Sequence, residues 1–118
     1  MNNRVEGIIA VTNNLDGISV GDSIVTNCIA SGNCRQGIVC GSGCIISNNI
    51  TNDNNGDGFE LGINNNIFNN TAVGNQGDGI QVSCPSNILG NTALGNGGTS
   101  GVNLNLIGVT CKRSNNIF

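Results

Sequence analysis

The 118-residue chain predicts an all-β fold, a right-handed parallel β-helix of about five coils of 20–22 residues, each with three short strands. Three observations carry that expectation. A glycine-led tetrapeptide returns at Gly17-Ile18-Ser19-Val20, Gly37-Ile38-Val39-Cys40, Gly58-Phe59-Glu60-Leu61, Gly79-Ile80-Gln81-Val82 and Gly101-Val102-Asn103-Leu104, with glycine spacings of 20, 21, 21 and 22. Aliphatic, small and asparagine positions recur in the same register. No coil contains a helical run, which excludes leucine-rich and helical repeats. Units this short cannot each bury a core, so they must stack.

Each element follows from a row. In Gly-Ile-x-Val the first and third residues after glycine point to one side of a strand. Ile18, Ile38, Phe59, Ile80 and Val102 then form one inward ladder, and Val20, Cys40, Leu61, Val82 and Leu104 a second. Val5, Val25, Ile46, Ile67 and, allowing one inserted residue, Ile88 sit in another strand of each coil, seen as Ser23-Ile24-Val25, Cys44-Ile45-Ile46 and Asn66-Ile67-Phe68. The remaining strand is centred on Ala10, Ala30, Thr51, Ala72 and Ala93. At about 4.8 Å per coil the stack is about 24 Å tall.

Asparagine makes the corners. One row holds Asn13, Asn33, Asn54, Asn75 and Asn96; a second holds Asn49, Asn70 and Asn91, with Ile8 and Cys28 in the earlier coils. A stacked amide carries donors and an acceptor for its neighbours and for turn backbone. Asparagine also tolerates the left-handed conformation of tight turns.

Composition narrows the function classes. The net charge is −3, and Arg4, Arg35, Lys112 and Arg113 form no basic stripe for a nucleic acid. The aromatic residues Phe59, Phe68 and Phe118 make no stacking platform. There is no apolar run of about eighteen residues to span a membrane. Residues 1–118 read as a single domain, with 1–16 a partial first coil, 17–104 the regular coils, and 105–118 an extra stretch and the start of an incomplete coil at Ser114–Phe118. The start, Met1-Asn2-Asn3-Arg4-Val5, contains no signal-peptide core. Because the repeat begins and ends mid-coil, the expectation is a piece of a longer secreted or cell-surface protein.

Six cysteines stand at 28, 34, 40, 44, 84 and 111 in different rows. Cys84–Cys111, pinning the non-repetitive stretch, is the preferred pairing. Cys40–Cys44 and Cys28–Cys34 remain open, since six cysteines allow fifteen connectivities. Without His or a Cys-x-x-Cys pair, thiolate metal binding is disfavoured. An even, fairly high cysteine count favours an oxidising compartment.

The segments Asp16-Gly17-Ile18, Asn69-Asn70-Thr71-Ala72-Val73-Gly74-Asn75-Gln76-Gly77-Asp78-Gly79-Ile80 and Asn91-Thr92-Ala93-Leu94-Gly95-Asn96 resemble the right-handed parallel β-helix repeat family with the pectate-lyase-like fold. That resemblance covers nearly the whole chain. It implies a surface or periplasmic protein that binds or processes carbohydrate.

One row offers chemistry. Asp16, Asp57 and Asp78 each precede the repeat glycine, and Asp57 and Asp78 lie in adjacent coils, roughly 5 Å apart along the stack. Paired carboxylates can act as acid and base on a glycosidic bond, and the three oxygens sets suit a hard cation such as Ca²⁺. Against this, Asp-Gly is a common turn pair whose carboxylate accepts turn N–H bonds, and Gln36 and Ser100 interrupt the row. A lyase is disfavoured further by the absence of His and Tyr. The favoured function is therefore a non-catalytic scaffold or carbohydrate-interaction module. The alternative is a polysaccharide-processing enzyme using Asp57 and Asp78. Thr71 and Thr92 stack, but the threonines form no full column of the kind an ice lattice would meet. Open strand edges favour end-to-end self-association. The sequons Asn49-Ile50-Thr51 and Asn69-Asn70-Thr71 are expected by chance in so asparagine-rich a chain.

Overall fold

A computed structural model describes residues 3–98 and 100–118. Met1 and Asn2 of the expected partial coil and Thr99 of the last regular coil lie outside them. Coil by coil the strands are β1 (Asn3–Glu6), β2 (Ile9–Val11) and β3 (Ile18–Val20), then β4 (Ser23–Thr26), β5 (Ile29–Ser31) and β6 (Ile38–Cys40). The third coil holds β7 (Ile45–Ser47), β8 (Ile50–Asn52) and β9 (Phe59–Leu61), and the fourth β10 (Asn66–Phe68), β11 (Thr71–Val73) and β12 (Ile80–Ser83). The fifth holds β13 (Asn87–Leu89), β14 (Thr92–Leu94) and β15 (Leu104–Ile107), and β16 (Lys112–Ser114) opens a sixth.

Like strands stack on like. Sheet A has the order β1-β4-β7-β10-β13-β16, sheet B is built from β2, β5, β8, β11 and β14, and sheet C from β3, β6, β9, β12 and β15. Every pairing is parallel, as between Ile38 and Phe59 or Ile67 and Ile88. The fold is a parallel β-helix of about five turns. Its core is the predicted set of columns: Val25, Ile46, Ile67 and Ile88 from sheet A, Ala30, Thr51, Ala72 and Ala93 from sheet B, and Ile38, Phe59 and Ile80 from sheet C, all 1% exposed or less.

Two sets of asparagines do different work. The ladder asparagines are buried and linked head to tail. Asn54 Oδ1 accepts the backbone N–H and the side-chain amide of Asn33, at 3.0 and 2.8 Å. Its own amide donates to Ala30 O and to Asn75 Oδ1, at 3.0 and 2.8 Å. Asn49, Asn70 and Asn91 repeat the arrangement, which Asn116 continues. A separate set turns the A–B corner in the left-handed region: Asn27, Asn48, Asn69 and Asn115 have φ of 56°, 57°, 57° and 55°, with Gly7 and Gly90 at the same corner of other coils.

Cys28 sits where later coils have a ladder asparagine. Its N–H already donates to Asn49 Oδ1 at 2.9 Å. Its thiol points at the carbonyls of Thr26 and Val5, at 3.2 and 3.7 Å. Those carbonyls correspond to Phe68 O and Ile46 O, which accept from Asn70. Cys28→Asn is therefore expected to extend the ladder by one rung and raise stability by about 1 kcal/mol, read as a higher denaturant midpoint at unchanged slope.

The last coil departs from the expected register. Ile80 pairs with Leu104 and Val82 with Leu106, so Leu104 and Leu106, not Val102 and Leu104, continue the sheet C ladders. The extra residues precede β15 instead of following Leu104. They allow Asn103 to fold back and accept from the N–H and amide of Asn96, both at 3.1 Å, closing that ladder within its own coil. Likewise the opening strand of the sixth coil is Lys112–Ser114. Asn115 turns the corner, and Ile117 bridges to Thr92 on the sheet B side.

Candidate functional site

The aspartate row lies on the corner leading into sheet C, and one oxygen of each carboxylate accepts a backbone N–H. Asp57 Oδ1 accepts the N–H of Asp78 at 2.7 Å. Asp78 Oδ1 accepts the N–H of Val102 at 2.7 Å, and its Oδ2 accepts the side-chain amide of Asn105 at 2.7 Å. Asp16 Oδ1 accepts the N–H of Gln36 at 3.3 Å and lies 3.7 Å from the Arg35 guanidinium. Each carboxylate thus caps a backbone donor one coil further on. Val102, not Ser100, continues the row beyond Asp78, because the inserted residues shift the register. Gln36 separates Asp16 from the other two by a full coil. Among the described residues no three Asp, Glu, Cys or His side chains converge as a cation site would require.

Burial holds the Asp57 carboxyl above its ordinary value of 3.8; the Asp78 N–H opposes that, and the charges of Asp78 and Glu60 add to it. A carboxyl that binds its proton more tightly folded than unfolded favours the folded state most below its ordinary pKa. That contribution is lost as pH rises from about 3.8 through the raised value. Asp57→Asn keeps an acceptor for the Asp78 N–H and removes the charge. The melting temperature of the variant relative to wild type is expected to climb across that window and level off above it. A difference independent of pH would contradict the assignment.

Concave surface lies elsewhere. A shallow cleft of about 290 Å³ at the corner between sheets C and A is lined by Asn64, Asn66, Pro85, Asn87, Thr110 and Lys112, among others. A second, of about 310 Å³, opens on the outer face of sheet C over Val39, Glu60, Gln81 and Ile107. Neither includes Asp57 or Asp78. The amide-lined cleft escaped sequence reasoning because Asn64 and Asn66 belong to no full asparagine row. The one signal available was the run Asn64-Asn65-Asn66.

Two disulfides frame this side of the molecule. Cys84–Cys111, with Cα atoms 4.9 Å apart, ties the end of β12 to the segment entering β16. Cys40–Cys44, at 6.7 Å, closes the C–A corner of an earlier coil. Cys28 and Cys34 are free thiols, one in the core and one at the surface, so the third pairing considered is not made. Cys44 and Cys111 do share a column, three coils apart, with Asn65 and Ser86 between them. Along it Cys44 N–H donates to Asn65 Oδ1 at 2.7 Å, and Asn65 N–H to Ser86 Oγ at 3.1 Å. No helix of the described residues is long and apolar enough to cross a membrane.

Comparison with protein-family models, with curated proteins and with solved structures returned no significant match. What is established for this chain is its architecture, a three-sheet parallel β-helix with internal asparagine ladders.

Proposed function

We propose that this chain is a non-catalytic scaffold module of a longer secreted or cell-surface protein, a member of the pectate-lyase-like β-helix repeat family whose polar faces contact carbohydrate. One observation supports this above the others. Among the described residues the stacked carboxylates Asp57 and Asp78 each hold a backbone N–H of the following coil through Oδ1, Asp78 gives its Oδ2 to the Asn105 amide, and neither residue lines either cleft. A general acid or nucleophile needs a free oxygen facing a bound sugar. The two disulfides fit an oxidising compartment. The cleft at Asn66, Asn87 and Lys112 presents amides and one cation, which suits hydroxyl-rich or weakly acidic glycans.

The raised pKa of Asp57 is the observation that favours the alternative, a polysaccharide-processing enzyme. A product assay against neutral and uronate polysaccharides, with and without Ca²⁺, separates the two. The scaffold reading expects no new reducing ends and no unsaturated products. Turnover that Asp78→Asn abolishes while the β signal in circular dichroism persists would replace it with the enzyme.

A further inference from the structure

The two sequons differ in where the fold puts them. Asn49 is 1% exposed and Thr51 is 0% exposed. The Asn49 amide donates to Val25 O and Asn70 Oδ1, at 2.9 and 3.0 Å, with no hydrogen to spare. A glycan there is incompatible with the folded coil. Asn69 is exposed, at the left-handed A–B corner, and Thr71 is part-exposed on the outward column of sheet B. The other corner asparagines, Asn27, Asn48 and Asn115, are each followed two residues later by isoleucine, at Ile29, Ile50 and Ile117. Among the described residues only the fourth coil joins an outward corner asparagine to an outward hydroxyl.

We infer that Asn69 is an N-glycosylation site. The donor is an oligosaccharide linked through pyrophosphate to a lipid. The Asn69 amide nitrogen attacks the sugar's C1 and the new C–N bond forms. The bond from C1 to the pyrophosphate oxygen breaks, its electron pair leaving with the lipid pyrophosphate, and a proton from the amide passes to a base of the transferase. The attached sugar would stand beside Phe68 and Leu89, which line an apolar groove on the outer face of sheet A, and would cover it. In nature the modification rests on the secreted location proposed above; the site itself does not.

The test supplies secretion artificially, so a failure would not bear on the natural location. The full chain is expressed behind a heterologous leader in cultured mammalian cells. Secreted and cell-retained protein are analysed by intact mass, then by enzymatic deglycosylation in ¹⁸O water to mark the modified residue. Most of the secreted chain should carry one glycan, marked at Asn69. Thr71→Val, which keeps Asn69 and places a β-branched residue like the neighbouring Ile50, should lose it and still be secreted. Asn69→Gly should lose it too, with folding preserved because Gly7 and Gly90 already occupy that corner. Unmodified wild-type chain in both fractions would overturn the inference. So would a glycan at Asn49 in protein that retains its β signal.

Discussion

Asn54→Ala is expected to remove about 4–6 kcal/mol of stability, the largest loss of any single ladder substitution. Asn54 is 0% exposed, with Asn33 and Asn75 packed on either side at 0% and 1%. Removing its amide leaves the Asn33 N–H, the Asn33 amide, Ala30 O and Asn75 Oδ1 each short of a partner in a site water does not reach. A buried polar group without a partner costs about 1–3 kcal/mol. Two or three such losses reach about 4–6 kcal/mol even after relaxation, against a total stability of roughly 6–18 kcal/mol for a chain of this size. Chemical denaturation followed by circular dichroism reads the result. The exposed Asn14 provides the comparison, since Asn14→Ala should stay within about 0.5 kcal/mol of wild type. Equal effects at the two positions would mean that the ladder contributes only shape.

Gly58→Ala carries the second large effect, for a steric reason. A Cβ at Gly58 would stand 2.5 Å from Gly79 O, 2.5 Å from Thr51 Oγ1 and 2.8 Å from the Asn75 amide nitrogen. None of these is the free end of a flexible side chain. The carbonyl belongs to the next coil and itself accepts the Phe59 N–H at 3.0 Å. Relief requires the coils to part where their spacing is set by hydrogen bonds. A loss of about 3 kcal/mol or more is expected, at the upper end of overpacking penalties. Gly21 makes the control: an added Cβ meets nothing within 4 Å, and its φ is not positive. Gly21→Ala should be neutral or stabilise by about 0.4–1 kcal/mol through the unfolded state. Thermal melts of both variants decide the matter.

Much of this architecture was legible because the chain is compared with itself. Gly37, Gly58 and Gly79 mark one position in successive coils, and the rows of Ala30, Ala72 and Ala93 or of Asn33, Asn54 and Asn75 emerge on alignment. Legibility ended where different residues meet the same need. Cys44, Asn65 and Ser86 share a column, yet an amide oxygen serves one step and a hydroxyl the next. No constant letter reveals it. The last coil misled because Gly101-Val102-Asn103-Leu104 keeps the motif while the strand begins at Leu104. There Asn103 is taken by Asn96, and Leu104 and Leu106 are both partly buried against the core. For the aspartates, alignment placed Asp57 over Asp78 correctly. It could not tell that an oxygen of Asp57 is held by the Asp78 N–H, which depends on the direction of one side chain at the corner.

The register of the sheets also bears on how the chain collapses. Paired strands lie 20 residues apart at Asn3 and Ser23 and 25 apart at Ile88 and Arg113, with nothing much longer between. The entropy of closing a loop grows only with the logarithm of its length, so these extremes differ by about 0.2 kcal/mol. Every new turn is therefore added at nearly the same cost, wherever growth has reached. Folding can start at any two adjacent turns and spread in both directions, with no step waiting for the two ends of the chain to meet. Pulled from its ends with both disulfides reduced, the molecule should give way one turn at a time, each releasing a similar length of chain.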